Sequence, residues 1–226
     1  MLANLKNTTV IIPVFNAEKY LDRLLNEILI YTKNIIVIDD GSTDNSYEIC
    51  KQFPVILYRI RNNRGKGHAL KKGFDIAINE GFIFAITLDS DFQHPPKDIP
   101  KFIKRQIATS ADLIYGKRDF DPKKMPIHRI LSNFLTSLIV SVKIKKRIYD
   151  SQCGYRLYNL DMLKRIKIET DRYQTETELI IKLAKIGAKF EFVPIETIYD
   201  TEKSYISHFR DIKNFIKVIL DKTEKI

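Results

Sequence analysis

Two carboxylates follow an apolar run near the middle of the chain, in the segment 84–96. The run predicts a buried strand, Asp89 and Asp91 come directly after it, and two prolines end the turn. Because an unpaired carboxylate is costly to bury, acids at this point indicate a ligand. Open α/β sheets bind ligands where strands end, and Mg²⁺ typically takes one or two carboxylates together with substrate phosphates. The pattern favours a divalent cation bound with a phosphorylated ligand, and the structural alternative is a solvated polar turn.

Composition restricts the class of protein. The chain has 226 residues, of which 44% are hydrophobic and 29% charged, enough for one sizeable α/β domain, which we predict to span 1–226. No apolar run approaches the roughly 20 residues of a spanning helix, and no secretory signal is visible. Cys50 and Cys153 are too few for a disulfide framework or a zinc cluster. These features favour a cytoplasmic protein.

Positive charge is concentrated in one part of the chain. The formal net charge is +10, and the segment 117–149 holds nine Lys or Arg against two Asp, a local net charge of +7. Such a belt suits an anionic partner, which could be nucleic acid, a membrane surface or a phosphorylated substrate.

Hydrophobic periodicity predicts alternating strands and helices. We expect strands over 9–13, 34–40, 55–60, 84–89, 112–116 and 190–194. We expect the principal helices over 17–31, 68–80, 96–108, 127–142, 175–186 and 209–220. The alternation predicts an α/β fold of Rossmann-like type, with a mostly parallel sheet and helices on both faces.

Polar residues end three of these strands, so they should meet in one crevice. Phe15 could stack on a nucleotide base, and Asp39 or Asp40 could accept from a base N–H. Lys66 stands between two glycines, which would let it approach a diphosphate closely. The structural alternatives are a helix cap for one of the two acids and a solvated loop around Lys66. The loop is not a P-loop, because the Gly-x4-Gly-Lys-Ser/Thr spacing is missing.

Five segments, in this order, resemble the family 2 glycosyltransferases of GT-A fold. They are IIPVFN at 11–16, VIDDGSTD at 37–44, NRGKGHALKKG at 63–73, LDSDFQHPP at 88–96 and DSQCGYR at 150–156. The resemblance covers roughly residues 8 to 200. The fourth and fifth segments look most like the branch of dolichyl-phosphate mannose or glucose synthases. In that branch a Ser stands where this chain has Asn133.

The resemblance implies a nucleotide-binding half, 1–116, and an acceptor-binding half, 117–226. It implies a UDP- or GDP-hexose donor with Mg²⁺ or Mn²⁺. On the donor side it assigns the nucleotide to Pro13, Phe15 and Asp40, the diphosphate to Lys66, and the metal to Asp89 and Asp91 with help from Gln93. On the acceptor side it assigns phosphate binding to Arg118 and Arg129, and Glu178 faces the acceptor.

We therefore predict a metal-dependent inverting glycosyltransferase that moves a hexose to a polyprenyl phosphate at a membrane surface. The alternative within the family is transfer to a sugar hydroxyl, whose attack needs a general base, whereas a phosphate is already an anion. With a phosphate acceptor, Glu178→Gln should lower activity only modestly, whereas Arg129→Ala should lower it strongly, chiefly by raising the acceptor KM. The structural alternative for Glu178 is a solvated helix face or an ion pair with Lys182.

The apolar residues of 127–142 fall at helical spacing, which has two interpretations. The helix could pack in the core, or it could lie on anionic lipid with Arg129 and a basic run near headgroups. The run comprises Lys143, Lys145, Lys146 and Arg147. We expect a cytoplasmic, peripherally membrane-associated protein.

Two rival classes are less favoured. A sugar-phosphate nucleotidyltransferase would carry a Gly-Gly-x-Gly-x-Arg loop after the first strand, and residues 13–18 lack it. The basic belt invites nucleic-acid binding, but no known recognition motif is present, and acids at three strand ends would repel phosphate without a metal. We expect no nucleic-acid partner.

Overall fold

The computed structural model describes residues 1–120, 125–198 and 215–219. Its central sheet has seven strands in the order β3-β2-β1-β4-β6-β5-β7. They are β1 (Thr8–Val14), β2 (Ile35–Asp39), β3 (Ile56–Arg59), β4 (Phe84–Thr87), β5 (Leu113–Arg118), β6 (Arg156–Asn159) and β7 (Phe190–Ile195). All paired neighbours run parallel except β6, which is antiparallel to both β4 and β5. The predicted α/β fold with a mostly parallel sheet is confirmed.

Helices cover both faces of the sheet. They are α1 (Glu18–Leu29), α2 (Ser46–Cys50), α3 (Lys66–Asn79), α4 (Ile99–Thr109), α5 (Ile127–Ile144), α6 (Leu160–Leu163) and α7 (Thr175–Lys185). Residues 96–98 form a 3₁₀ turn ahead of α4. Of the predicted helix 209–220, only 215–219 lie among the described residues, and Phe215 and Ile219 pack against one of the two core clusters. No helix in the described ranges is long and apolar enough to cross a membrane.

The period-2 alternation of β1 divides the core into two layers. Val10, Ile12 and Val14 join the cluster under α1 and α4, whereas Ile11 joins the cluster under α3 and α7. Successive side chains of a strand point to opposite faces, so a strand buried on both sides reads as a continuous apolar run. This is why the strand positions could be predicted from the sequence.

Strand β6 is a correction to the sequence prediction, in which no strand lay between 116 and 190. The strand is short and begins with Arg156, whose guanidinium is fully buried. It inserts between β4 and β5, with Ile86 opposite Leu157 and Ile114 opposite the same residue. A charged first residue and four-residue length gave no strand signal in the sequence, because the charge is satisfied only by tertiary contacts.

Candidate active site

The loops after β1 and β2 are joined by reciprocal hydrogen bonds. The Asn16 N–H donates to Ser42 Oγ at 3.0 Å, and the Thr43 N–H donates to Asn16 Oδ1 at 2.9 Å. Asn16 has a left-handed backbone, with φ of 50°, which Asn tolerates better than most residues. The two strand ends therefore form one fixed wall, with Phe15 partly exposed on it.

Pro13 lies where β1 separates from β4. The β1–β4 ladder stops at Ile11 opposite Thr87, and the last bond runs from the Leu88 N–H to the Ile11 carbonyl. Pro13 points to the same side as Ile11 and has no N–H to donate, so it cannot continue this ladder. The gap opens at the point where the chain continues to Asp89.

Asp40 holds the loop that leads into α3. Its two carboxylate oxygens accept from the backbone N–H groups of Arg64 at 2.9 Å and Gly65 at 2.7 Å. Burial raises the pKa of Asp40 above its usual value, although the two N–H groups oppose that shift. Its neighbour Asp39 accepts from the Ser42 N–H at 3.1 Å and caps the turn after β2. Asp39 thus closes a turn and does not cap a helix, because α2 begins only at Ser46.

Lys66, Asp89 and Glu176 form a partly buried charge cluster, in which Glu176 is buried and Lys66 and Asp89 are partly exposed. Lys66 Nζ lies 2.6 Å from Asp89 Oδ1 and 2.9 Å from Glu176 Oε1. A Cβ on Gly154 would lie 2.5 Å from Asp89 Oδ2, 2.7 Å from Lys66 Nζ and 2.9 Å from Glu176 Oε1. The cluster therefore packs directly on the backbone of the DSQCGYR segment, and only glycine fits at 154.

The contacts within the cluster favour the charged forms of Lys66 and Asp89. Burial by itself would lower the pKa of the Lys66 ammonium, but Asp89 and Glu176 raise that pKa above its ordinary value. Burial would also raise the pKa of Asp89, and the adjacent Lys66 instead holds it below the usual range. Lys66 and Asp89 therefore form an ion pair between two charged groups.

The glycines on either side of Lys66 allow the segment 171–175 to approach the start of α3 closely. A Cβ on Gly67 would lie 1.9 Å from Thr175 Oγ1, and a Cβ on Gly65 would lie 2.7 Å from the Asp171 carbonyl oxygen. The start of α3 and the segment 171–175 are therefore in close contact. This contact brings Glu176, at the start of α7, within reach of Lys66.

Asp91 lies in a tight turn after β4. Its Oδ1 accepts from the Gln93 N–H at 3.1 Å. Between them Phe92 has a left-handed backbone, with φ of 59°, and its buried ring packs under the Arg23 guanidinium at 4.2 Å. A non-glycine residue in this conformation needs its surroundings to hold it, so the turn that presents Asp91 is a constrained one.

These oxygen donors fit Mg²⁺ or Mn²⁺. The carboxylates of Asp89 and Asp91 and the amide oxygen of Gln93 are hard ligands, and no group of three or more His, Cys, Asp or Glu within the described ranges could hold a metal alone. A site with few protein ligands suits a cation that keeps waters and takes phosphate oxygens from its substrate. Because Lys66 contacts the Asp89 carboxylate, a bound cation and the Lys66 ammonium would have the same ligand.

Arg118 is oriented by a buried carboxylate. Its Nε donates to Asp150 Oδ2 at 2.7 Å and its Nη2 donates to Asp150 Oδ1 at 2.9 Å, a bidentate pair. Asn133 Nδ2 donates to the same Oδ1 at 2.8 Å. Burial would raise the pKa of Asp150, but Arg118 and then Asn133 keep it below its usual value. The guanidinium therefore has a fixed plane, as recognition of a phosphate requires.

The segment 150–154 is fixed from within. The fully buried Arg156 donates to the carbonyl oxygens of Cys153 at 2.7 Å, Ser151 at 2.7 Å and Glu176 at 2.8 Å. Cys153 lies beside His94, and burial raises the pKa of the Cys153 thiol to about 12 and lowers the pKa of His94 to about 4. The buried thiol and its raised pKa are those of a packed residue and not of a nucleophile.

Glu178 lies outside the charge cluster. Its carboxylate accepts from the Glu169 N–H at 2.8 Å and the Thr170 N–H at 2.9 Å, and it pairs with Lys182 at 2.7 Å. The structural alternative, an i,i+4 ion pair, is therefore present. Glu176 is the carboxylate that the structure brings together with Lys66 and Asp89.

The polar face of α5 is buried and its apolar face is exposed. Asn133 bonds to Asp150, Ser137 accepts from the Ser151 N–H at 2.9 Å, and Ser141 accepts from the Ile148 N–H at 2.8 Å. Six apolar residues of this helix are exposed, so core packing is the wrong interpretation for most of its apolar face. They are Ile127, Leu131, Phe134, Leu135, Leu138 and Val142.

Arg129 lies in the first turn of α5, one turn before Asn133 and on the same side of the helix. Its side chain is exposed. The described contacts therefore connect α5 to Arg118 through Asn133 and Asp150, and they place Arg129 next along that side. The two arginines predicted to hold the acceptor belong to one region of the molecule.

The fold and the strand-end site define a nucleotide-sugar glycosyltransferase. The profile of Glycosyl transferase family 2 matches residues 9–167, and the chain belongs to this family.

Relatives and solved structures agree with this assignment. An uncharacterized protein of Methanocaldococcus jannaschii is 38% identical over 213 residues, covering 87% of this chain and 91% of that protein. The UDP-N-acetylglucosamine–dolichyl-phosphate N-acetylglucosaminyltransferase of Methanococcus voltae is 32% identical over 212 residues, covering 84% of each. The predicted resemblance to the polyprenyl-phosphate branch is confirmed.

The fold itself is found in glucosyl-3-phosphoglycerate synthase of Mycobacterium tuberculosis, in a complex with Mn²⁺, UDP-glucose and phosphoglyceric acid. The TM-score is 0.74 at 15% identity, with 95% of this chain and 78% of that chain covered. At this identity the likeness concerns the fold alone.

Sequence reasoning gave no role to three residues that organise the site. Asp150 and Arg156 belong to the DSQCGYR segment. Both are fully buried, and their charges are satisfied by contacts inside the protein, which the sequence does not show. Glu176 was passed over for Glu178. The usable signal was the pair of glycines at 65 and 67, which lets the α7 start approach Lys66.

Proposed function

We propose that this glycosyltransferase moves a hexose from a UDP- or GDP-sugar to a polyprenyl phosphate at a membrane surface, with inversion at the anomeric carbon. The orientation of α5 carries the proposal. Its apolar face is exposed, while Asn133 on its polar face bonds to the carboxylate that orients Arg118. A lipid-linked phosphate presents both an apolar chain and an anion, and this region offers a surface for each. The Methanococcus voltae relative is named for a dolichyl-phosphate acceptor.

On the donor side, Asp89 and Asp91 would hold Mg²⁺ or Mn²⁺, with Gln93 assisting. When bound, such an ion neutralises the charge that develops on the leaving diphosphate. Lys66 stands at the first residue of α3, where a helix N-terminus favours anions, and would contact the diphosphate. Asp40 and Phe15 would contact the base from the wall formed by the β1 and β2 ends.

On the acceptor side, Arg118 and Arg129 would position the phosphate. Arg118 has its plane set by Asp150, and Arg129 projects from the same side of α5 as Asn133. The phosphate attacks from the face opposite to the leaving group, which inverts configuration. Because a phosphate is ionised at neutral pH, this reaction needs no general base.

Donor turnover with and without polyprenyl phosphate tests the proposed activity. UDP- and GDP-hexoses are supplied in turn, with Mn²⁺, and formation of the glycosyl phospholipid is measured against simple donor hydrolysis. We expect one donor to be consumed faster when the lipid phosphate is present. Equal turnover with a polyprenol that lacks the phosphate would contradict the proposal and favour a hydroxyl acceptor.

The membrane contact has its own test with matched apolar variants. Phe134→Gln with Leu138→Gln changes the exposed face of α5, whereas Ile30→Gln with Ile107→Gln changes exposed apolar residues at the end of α1 and on α4. We expect the first pair to reduce co-sedimentation with anionic vesicles at least tenfold and the second pair to leave it unchanged. If the wild type instead forms dimers that only the first pair disrupts, α5 binds a second copy of the chain.

A further inference from the structure

The cluster at the centre of the site poses a problem of charge. Lys66 Nζ contacts the Asp89 oxygen at 2.6 Å, and Asp89 is one of the two carboxylates proposed to hold a divalent cation. An ammonium and a dication cannot share one oxygen at contact distance without strong repulsion. One of them has to leave when the other is present.

Glu176 gives the ammonium a second partner that does not belong to the proposed cation site. Its Oε1 lies 2.9 Å from Lys66 Nζ, its side chain is buried, and its backbone carbonyl is held by Arg156 at 2.8 Å. Gly154 closes the cluster on one side, where a Cβ would lie 2.7 Å from Lys66 Nζ, so Lys66 cannot turn in that direction. Glu176 is therefore placed to keep the ammonium near the site after it leaves Asp89.

We propose that Lys66 is an internal cation that occupies Asp89 while the site is without ligand, and that Glu176 is the positioning residue that retains Lys66 when the donor binds. This inference rests on the proposed metal and nucleotide site. In the ligand-free protein, Lys66 neutralises Asp89 and opposes binding of a free dication. With the donor present, Lys66 turns from Asp89 toward the diphosphate, and Glu176 remains its counter-charge. Metal and nucleotide then bind together, and neither binds well alone.

Mn²⁺ binding without nucleotide tests the exchange, measured from the electron paramagnetic resonance signal of free Mn²⁺. We expect Lys66→Gln to bind Mn²⁺ at least tenfold more tightly than the wild type. Lys71→Gln is the matched control, because it removes a positive charge from the same helix but pairs with Asp171 outside the cluster, and we expect it to match the wild type. Asp89→Asn in the Lys66→Gln background should abolish the gain.

Glu176→Gln is the second variant, and it keeps the Lys66–Asp89 contact. Lys66 then has Asp89 as its remaining carboxylate in the cluster, so we expect Mn²⁺ binding without nucleotide to weaken at least threefold. If Lys66→Gln does not fold, the Mn²⁺ affinity of Glu176→Gln alone tests the exchange. Wild-type affinity in both variants, with Mn²⁺ still bound in the presence of UDP, would overturn the exchange but leave the metal site. No Mn²⁺ binding by the wild type even with UDP would overturn both.

Discussion

Glu176 and Glu178 stand two residues apart at the start of one helix, and their surroundings give them different uses. Glu176 meets an ammonium in the charge cluster, whereas Glu178 receives two backbone N–H groups and Lys182. Residues two apart on a helix point in different directions, so this separation is expected from helical geometry. We therefore expect substitutions at the two positions to affect different properties.

Glu178→Gln should chiefly lower stability. At neutral pH we expect a loss of about 1.5–3 kcal/mol, as for hydrogen bonds to a buried charge. Burial would raise the pKa of Glu178, but Lys182 and then Thr170 lower it below its usual value. The folded protein thus binds fewer protons here, so the wild type loses its advantage as the pH falls from the usual carboxyl range through the lowered pKa.

Denaturant unfolding of both proteins between neutral and acidic pH measures this effect. The difference in unfolding free energy between wild type and variant should become smaller as the pH is lowered. Glu169→Gln, which removes a more exposed partner of the same Lys182, serves as the control and should cost at most about 1 kcal/mol. A constant gap at every pH would contradict the assignment of a charged Glu178.

Asp91→Asn keeps the shape of the turn after β4 and removes one negative charge from the proposed cation site. We expect transfer to fall by orders of magnitude and UDP binding to lose its dependence on Mn²⁺. Calorimetry of UDP binding with and without Mn²⁺ gives the second readout. Asp161→Asn, at an exposed acid on α6, is the control. Unchanged turnover in the Asp91 variant would rule out a role of Asp91 in metal binding.

At the scale of elements, helix α5 turns its polar side chains toward the protein interior. Asn133, Ser137 and Ser141 recur at helical spacing and satisfy groups in the segment 148–151. Buried polar groups need such partners, whereas exposed apolar residues need an additional surface only when they form a large patch. The helix thus connects an exposed apolar face to Arg118 through one side chain and one carboxylate.

Asn133→Leu tests this connection. The change removes a donor from the buried Asp150 carboxylate, so we expect a loss of about 1–3 kcal/mol in stability. Arg118 should also lose its fixed orientation, which raises the acceptor KM more than the donor KM. Ser132→Leu, at the adjacent exposed position, is the control. Steady-state kinetics with each substrate varied in turn measures the difference, and equal changes in both KM values would contradict it.

Arg129→Ala separates acceptor positioning from the stability of α5. The side chain is exposed, so its removal should leave the unfolding free energy within about 0.5 kcal/mol of the wild type. If Arg129 binds the acceptor phosphate, the acceptor KM should rise at least tenfold. A silent Arg129→Ala together with a Glu178→Gln variant that is folded but inactive would favour a hydroxyl acceptor.

At the scale of the whole molecule, the basic residues after α5 have different surroundings. Lys146 donates to the Ala188 carbonyl at 2.8 Å, so it fastens the end of α5 to the turn between α7 and β7. Lys145 and Arg147 are exposed, and Lys143 is partly so. These three are therefore the better candidates for contact with anionic lipid than the full set of four.

The triple variant Lys143→Gln, Lys145→Gln, Arg147→Gln should bind anionic vesicles more weakly and with less dependence on salt. Each basic residue near such a surface contributes about 1 kcal/mol. Co-sedimentation over a range of salt concentrations measures this, with vesicles of zwitterionic lipid as the reference. Equal salt dependence in wild type and variant would assign the contact to the apolar face alone.

The sequence determined the alternation of strands and helices, the strand-end position of Asp40, Asp89 and Asp91, and the family. These are local properties, because a buried strand, its period and its terminal acids are written in consecutive residues. The charge of Lys66 and the glycines beside it were also visible, although their use by the segment 171–175 was not.

Tertiary structure decided which charges meet. It paired Lys66 with Glu176 and Asp89, set Arg118 on Asp150, buried Arg156 at the start of β6, and turned the polar side of α5 inward. Periodicity reports that a helix has two faces but not which face a neighbouring segment will cover. Here the backbone N–H groups of 148–151 needed acceptors, and the cost of leaving them unpaired selects the polar face.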